Sequence, residues 1–410
     1  MKRKHFLSLL IFSIFTINCK KEEPLVECAP EPTNINSDFE LIWSKSGNRR
    51  YLDVNHVTVA SSSVIYNHNP SGSVQDEELI AFDKATGDTL WQYKSGFWYQ
   101  APQVYQDKYF VNIDGELVCI DAANGNEVWR LNKGYLSHFT IENGNIYAAF
   151  GNVRGVSDST EFFKINPSTG NEIKMYSIHK SERNNFSQNP KGMKVWIHPN
   201  GNEVLFVHSV SYYSSSLNVI SKSEYYALDL TADSMYWDLG YYFVSNEVSN
   251  PVIENYNLYL HSSLGEIAKI NLLAKTEIWR NLTLPYSHST RMILNNNLLY
   301  KSIGSVSEVR VHSVNDGSIY KKLGNLSTFS TEQPHATSNF KKYNNKIYFS
   351  NYNTVCVVDL LSNEVLRIIN QTEKLGPLSS GGFAKSLDLD PRTNYIYTER
   401  EGSIICMKEL

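Results

Sequence analysis

Five cysteines and eleven histidines are the side chains of this 410-residue sequence best suited to redox, nucleophilic or metal chemistry. Such chemistry needs them beside a base, a second thiol or a ligand partner. They stand apart here. Cys28 lies in a polar, Pro-containing stretch, while Cys119, Cys356 and Cys406 each sit singly within an apolar run (LVCID, TVCVVD, SIICMK). That context fits buried small hydrophobes rather than reactive thiols. The histidines fall at no ligand spacing, and GxSxG, HExxH, CxxC, P-loop and GxGxxG patterns are all missing from the sequence. Asp388 and Asp390 could be a carboxylate pair, but Pro391 beside them favours a hairpin turn. No catalytic, metal or cofactor residue is therefore assigned.

Aromatic side chains between the apolar runs remain as candidates. They are Phe97, Trp98 and Tyr99; Tyr135 and His138; Tyr212 and Tyr213; Tyr241, Tyr242 and Phe243; Tyr286 and His288; and Phe329 and His335. Aromatics among Ser and Asn suit a binding surface. The same rings could instead cover the ends of a core, and both readings stand. The candidate binding face comprises Phe97, Trp98, Tyr99, Tyr135, His138, Tyr212, Tyr213, Tyr242, Tyr286 and His288.

What positions these residues is a repeat. Gly115–Trp129 reads GELVCIDAANGNEVW, with Gly125 four and Trp129 eight residues after Asp121. The offsets recur at Asp83, Gly87 and Trp91. Weaker copies are anchored at Asn166 (Lys174 for the Trp), Asp229 (Trp237), Asn271 (Trp279), Ser313 and Asp359. Anchors 38, 45, 63, 42, 42 and 46 residues apart mean a repeat architecture with insertions in the long periods, here Ser177–Gly192 and a loop over Ser209–Ser223. Leu117–Ile120 is continuously apolar, as a strand covered on both faces must be. Asp121 suits a turn in which its carboxylate accepts from N–H groups ahead of it, and Gly125 supplies the left-handed residue. Trp129 then wedges between neighbouring sheets. Two more short strands precede each unit. Four antiparallel strands per period, packed face to face, describe an all-β propeller. Phe39–Ser46 (FELIWSKS) is a final strand without its predecessors, with Trp43 at the wedge, whereas the C-terminus ends without its last strand. Both chain ends thus complete one blade, making eight.

The pattern of Asp, Thr/Asn-Gly and Trp, best at Asp83–Trp91 and Asp121–Trp129, resembles the quinoprotein-type (PQQ-like) propeller repeat over roughly residues 38–410. A lipoprotein of this form also resembles the BamB-like outer-membrane assembly factors. Quinoprotein dehydrogenases imply a vicinal disulfide and a calcium site, and the isolated cysteines depart from that pattern. The resemblance therefore implies a non-catalytic protein-binding or scaffolding propeller in envelope assembly, with no cofactor. A glycan- or small-molecule-binding propeller is the alternative, and a quinone-dependent dehydrogenase is third.

The first residues supply an address. Lys2, Arg3 and Lys4 precede an apolar run, Phe6–Ile17, too short to span a bilayer, as in a secretory signal. Cys19 follows directly and resembles the lipidated residue of bacterial lipoproteins, although Thr16 and Asn18 depart from that motif. Lys20 after it implies the outer membrane. The expected organisation is a signal peptide at 1–18, a flexible tether at 19–37 and the propeller at 38–410, held by a lipid anchor on the periplasmic or the outer face. The body is expected to be a monomer with an envelope protein as partner. The formal charge of −4 becomes more negative without the leader, and no basic run survives in the body. This excludes the electrostatic footprint of a nucleic-acid binder.

Overall fold

The computed structural model describes residues 39–46, 57–68, 78–94, 100–151, 159–179, 187–215, 218–243, 251–261, 266–282, 292–303, 308–323, 340–351, 354–370, 386–400 and 403–409. Strand β1 (Phe39–Ser46) belongs to the last blade. Blade 1 is β2 (Val57–Val59), β3 (Val64–His68), β4 (Glu78–Phe82) and β5 (Thr89–Lys94). Blade 2 is β6 (Gln103–Tyr105), β7 (Lys108–Ile113), β8 (Glu116–Asp121) and β9 (Glu127–Leu131). Blade 3 is β10 (Leu136–Glu142), β11 (Asn145–Phe150), β12 (Ser159–Ile165) and β13 (Glu172–His179). Blade 4 is β14 (Ser187–Ile197), β15 (Glu203–Ser215), β16 (Asn218–Asp229) and β17 (Ser234–Phe243). Blade 5 is β18 (Val252–Glu254), β19 (Asn257–His261), β20 (Glu266–Asn271) and β21 (Thr276–Leu282). Blade 6 is β22 (Met292–Asn295), β23 (Leu298–Ile303), β24 (Glu308–Ser313) and β25 (Ile319–Leu323). Blade 7 is β26 (Lys341–Tyr343), β27 (Lys346–Asn351), β28 (Thr354–Asp359) and β29 (Glu364–Asn370). Blade 8 joins β30 (Leu387–Asp390), β31 (Tyr395–Arg400) and β32 (Ser403–Glu409) to β1. The chain is an eight-bladed propeller of four-stranded antiparallel blades, as the repeat requires.

The repeat's residues act as a joint between blades. Asp83 Oδ1 accepts from the N–H groups of Ala85 (2.8 Å) and Thr86 (2.9 Å), which closes the turn between the third and outer strands. Gly87 follows at φ +72°. The indole of Trp43, on the preceding blade, donates to Lys84 O at 3.0 Å and lies flat against Gly87. The same joint recurs with Trp91 to Ala122 O (3.0 Å) over Gly125 and with Trp129 to Pro167 O (3.1 Å) over Gly170. Trp279 donates to Val314 O (3.0 Å) over Gly317 in the fourth instance. A methyl group on any of these glycines would come within 2.6–2.8 Å of the ring, closer than packed carbons allow. Glycine is needed twice over here, for the turn's left-handed φ and for the approach of the indole.

Trp237 departs from the expectation. It has the register of the other wedge residues, opposite Ala227, and packs partly buried against the core between blades 4 and 5. Yet the hydrogen bond to the next turn comes from its neighbour: Tyr236 Oη–H donates to Leu272 O at 3.2 Å. The physical reason is at position 275, where the glycine offset carries Lys275 at φ +55°. Its side chain fills the space an indole would need and lies over Tyr236, with Nζ 4.0 Å from the ring centroid and donating to Tyr236 O at 2.7 Å.

Closure occurs as the two termini require. β1 pairs antiparallel with β32 from Phe39↔Glu409 to Ser46↔Ser403. Asp388 and Asp390 lie on the innermost strand of the same blade: β30 and β31 form a hairpin, and its acids are structural. Asp388 Oδ2 accepts from Val59 N at 2.8 Å and Oδ1 meets Lys341 Nζ at 2.8 Å, tying blade 8 to both neighbours. Buried Asp390 meets Lys84 Nζ at 2.5 Å.

The expected loop over Ser209–Ser223 is strand wherever it is described, and of Ser177–Gly192 residues 177–179 and 187–192 are strand while 180–186 lie outside the described residues. β15 and β16 pair continuously from Val204↔Asp229 to Ser215↔Asn218, and β14 begins at Ser187. Val, Ile, Tyr and Ser in this stretch favour an extended ladder, which also satisfies the backbone groups a long loop would leave open. Blade 4 therefore rises beyond the ring.

Candidate binding face and the junction of blades 3 and 4

Connections between blades and the turns between second and third strands open on one face of the ring. The extension of blade 4 stands on that face. Of the candidate residues, Phe97, Trp98, Tyr99, Tyr286 and His288 lie outside the described residues, as do Phe329 and His335. Tyr212, Tyr213 and Tyr242 are placed in β15 and β17, on the extended sheet rather than in loops.

Tyr135 clamps blade 2 to blade 3. Its ring lies over Gly115 at φ +83°, where a Cβ would be 2.7 Å from Cδ2. Its carbonyl accepts from Gly151 N at 2.8 Å, while the next N–H, of Leu136, donates to Gly115 O at 2.6 Å. The half-buried ring covers the end of the inter-blade core.

His138 belongs to a different arrangement. β10 and β14, the innermost strands of blades 3 and 4, run against each other. Each carries a bulge toward this face, between Leu136 and His138 and between Pro190 and Gly192. The residues displaced by the bulges are Ser137 and Lys191. Bulges re-aim side chains and recur beside functional sites. His208 on β15, opposite the bulge of β14 at Gly192, is fully buried on the side of blade 4 that carries Phe206 and Tyr225 toward blade 5, its ring 4.8 Å from that of Tyr225 and tilted by 31°. Neither nitrogen of His208 has a hydrogen-bond partner, and neither do the buried hydroxyls of Ser137 and Ser209. Each such group costs about 1–3 kcal/mol, so a cluster of them calls for an explanation.

The electrostatics follow from burial. His208 is pushed down to about 3 by burial and by the positive fields of His138 and Lys191. His138 is pushed down to about 3 by burial and by Lys191. Burial alone moves Lys191 below the usual lysine range. Both imidazoles are therefore neutral at pH 7 and sit in a field of positive sign. This junction also lacks the Trp–Gly joint: the bulge in blade 3 pairs Lys174 with Phe163, on the side toward blade 2, where its ammonium meets Glu161. Ion pairs across it, Lys164–Glu203 at 2.8 Å and Lys194–Glu142 at 2.6 Å, bridge the blades instead.

Ser137, Lys191, His208 and Ser209 were not singled out by sequence. A signal for one existed: Pro190-Lys191-Gly192 in a strand is a bulge signature. Lys301 was also missed. It is fully buried on β23, opposite Arg310, its Nζ has no hydrogen-bond partner, and burial pushes it down to about 7.

The cysteines show no reactive setting. Cys119, Cys356 and Cys406 are buried and form no disulfide, and burial pushes Cys119 and Cys406 up to about 12. A quinone pocket capped by adjacent bridged cysteines does not fit thiols held singly in blades 2, 7 and 8. Among the described residues, no group of three His, Cys, Asp or Glu side chains is placed to hold a metal ion.

The fold and its joints define a propeller of PQQ-like repeats, BamB-like in architecture. Residues 40–215, less than half of the chain, match the family described as outer membrane protein assembly factor BamB. No curated protein matches the sequence. Among solved structures, BamB from Moraxella catarrhalis superposes with a TM-score of 0.57 at 11% identity, covering 90% of this chain and 99% of that one. Quinohemoprotein alcohol dehydrogenase from Comamonas testosteroni gives 0.62 at 12% identity, covering 90% and 76%. Sqt1 from Saccharomyces cerevisiae gives 0.61 at 10% identity, covering 89% and 99%. These likenesses concern fold.

Proposed function

We propose that this protein is a non-catalytic scaffold that binds a protein partner in envelope assembly, anchored by lipid at Cys19 to the outer membrane. The observation that carries the reading is the match of residues 40–215 to the BamB family, in a ring whose fourth blade rises from one face. An extended sheet bearing Tyr and Ser offers contact area and adaptable hydrogen bonding at low entropic cost. Among the described residues, singly placed buried thiols and the neutral imidazoles of His138, His208 and His312 support the non-catalytic reading. Crosslinking in intact cells from residues on β15 and β16 tests this: a specific envelope protein is expected. Recovery of none, or the same proteins from a variant shortened between Ser209 and Ser223, refutes it. The anchor is tested separately. Cys19→Ala should release the protein from the outer-membrane fraction, and continued pelleting refutes lipidation.

A glycan-binding reading has its own support on the opposite face. Tyr256, 47% exposed at a turn tip, stands 6.4 Å from Trp196, which also contacts His198 (5.2 Å) and Tyr236 (6.1 Å). Aromatic clusters with one exposed ring suit stacking on sugars. Loss of a glycan-array signal in Tyr256→Ala supports this reading, and an array without hits removes it.

A further inference from the structure

We propose that the junction of blades 5 and 6 holds a binding site for a phosphate group, in which the ammonium of Lys301 donates to a phosphate oxygen and Nε2 of His312 accepts from a phosphate O–H. The site goes beyond the scaffolding role and does not depend on it. Register, burial and hydrogen-bonding chemistry each point to it.

Register brings the groups together. Across blade 6, Met292 on β22 pairs with Lys301 on β23, Lys301 with Arg310 on β24, and Arg310 with Lys322 on β25. Paired residues share a side of the sheet, so three cations lie in one row across three strands, an arrangement that like charges resist. His312, two residues on from Arg310, shares that side and pairs with Leu299, which sets it diagonal to Lys301 and within reach of a long side chain. Met292 and Leu299 pack in the core between blades 5 and 6, so the row faces blade 5. The fold does not need these residues. In the place of Lys301 and Arg310 stand Val111 and Val118 in blade 2, Leu260 and Ala268 in blade 5, and Phe349 and Cys356 in blade 7. The pair is uncharged in the remaining four blades as well. The place of His312 is taken by Ile120, Ile165 and Ile270 in blades 2, 3 and 5.

Lys301 and His312 are fully buried, yet neither Nζ of Lys301 nor Nε2 of His312 has a hydrogen-bond partner. An ammonium buried without a partner is strongly unfavourable. Arg310 is engaged with a partner of its own, and Lys269, on the facing side of blade 5, adds a cation whose Nζ donates to Val314 O at 3.0 Å. The acids of the two blades do not balance the row. Glu254 stands at the far end of blade 5, opposite Asn257, and Glu277 is held by Arg280 at 2.8 Å. Glu266, whose charge reaches Lys301, shares the side of Ala268 toward blade 4 and lies 3.8 Å from Arg280 Nη1. Glu308, which begins β24 opposite Ile303, is one acid against three cations.

The tautomer of His312 selects the ligand. Its Nδ1 lies 3.0 Å from Gly317 O, and a carbonyl only accepts, so Nδ1 carries the proton and Nε2 of the neutral ring is an acceptor. Burial, with the fields of Lys301 and Arg310, pushes the ring down to about 4 against the Gly317 hydrogen bond, so it is neutral at pH 7. The site thus sets a donor cation beside a lone pair. A water molecule would complete both hydrogen bonds but supply no charge. A carboxylate or sulfate would supply charge but hold no proton for Nε2. A protonated phosphate, free or as a monoester, supplies both. Arg310 and Lys322, half-buried, continue the row toward solvent.

The full chain is titrated calorimetrically at neutral pH and constant ionic strength with sodium phosphate, with glycerol 3-phosphate and with sodium sulfate. Saturable binding of phosphate or of the ester is expected, with sulfate weaker by about tenfold or more, because it leaves a buried acceptor unmet. Binding of inorganic phosphate alone identifies the free anion, and binding of the ester identifies a phosphorylated molecule; either supports the site. Lys301→Met should fold, since the other blades carry no charge at that place, and should lose about tenfold or more in affinity. Undiminished binding in that variant overturns the proposal, as do titrations that fail to saturate and sulfate binding as tight as phosphate. His312→Leu keeps the test open if Lys301→Met misfolds. Phosphate affinity should fall and its preference over sulfate vanish with the acceptor, and an unchanged phosphate affinity overturns the proposal.

Discussion

The junction of blades 2 and 3 and the junction of blades 3 and 4 are built from the same repeat by opposite means. At the first, Trp129 docks on Gly170, donates to Pro167 O, and adjoins an apolar cluster that includes Phe110, Leu117, Phe139 and Phe163. At the second, Lys174 is turned to the side of blade 2, ion pairs cross the gap, and the buried hydroxyls of Ser137 and Ser209 have no hydrogen-bond partner. The first arrangement is directional and dry. The second retains polar capacity near the channel and carries the sheet that leaves the ring. Directional joints and ion-pair contacts are thus allotted to different blades of one chain, with the Trp–Gly joints among the described residues concentrated around blades 8, 1, 2 and 3.

Five substitutions can break or sharpen that contrast. The largest effect is expected for Trp91→Ala, at about 3–5 kcal/mol, because a buried indole and its hydrogen bond are both lost. Trp237→Ala, at the same register without that bond, should cost about half as much, and equal losses in urea unfolding would erase the distinction. Next comes Asp390→Asn, at about 3 kcal/mol, since it leaves Lys84 beside a neutral group in a largely buried pair. Burial raises the Asp390 carboxyl, but hydrogen bonds from Lys84 and Arg392 N with the Lys84 charge outweigh it, and the net direction is down from 3.8. Its stabilisation is therefore present above pH 3.8 and lost as pH falls through the lower folded value. Wild type and variant should converge in acid, and a constant difference across that range would show that the charge is irrelevant.

His208 gives a smaller effect of distinctive pH dependence. The folded state holds it neutral down to about 3, against 6.5 for an unperturbed group. The unfolded chain binds a proton first as pH falls, so stability declines between these values and is flat above them. The slope attributable to each such histidine is about 1.4 kcal/mol per pH unit. His208→Leu should leave stability at neutral pH nearly unchanged and flatten the decline; an unaltered slope would mean that His208 protonates freely when folded. The smallest change is expected from Lys275→Gly, within about 1 kcal/mol, since a cation–π contact is exchanged for relief of a left-handed lysine. A loss of several kcal/mol in thermal unfolding would show that the Tyr236–Lys275 arrangement is as binding as the Trp–Gly joint it replaces.

Fold and closure were legible because the repeat writes its geometry into residue types. Asp for the turn, Gly for positive φ and Trp for the wedge each have few substitutes, so their offsets survive where the rest drifts. The swap at Tyr236 was not legible, because it turns on whether Lys275 leaves room for an indole, and offsets say nothing of that. The extension of blade 4 was misread as loop, since a run of Ser suggests turns until its ladder partner is known. His138 was singled out for its place between strands. His208 and Lys191, seventeen residues apart in sequence, are brought near it only through the pairing of β14 with β15 and the approach of β10.

The seam of β1 with β32 has a kinetic consequence. Trp43 and its partner across the seam, Cys406, stand at opposite ends of the chain, so the ring's final contact closes a loop of nearly the whole protein and comes last. Until then β32 presents an unpaired edge, and β1 is an eight-residue strand without a sheet. The β1 of a second molecule fits that edge as well as the chain's own. The competition between intramolecular and intermolecular pairing is set by protein concentration, which makes domain-swapped dimers and chains of rings the specific misfolding hazard of this architecture.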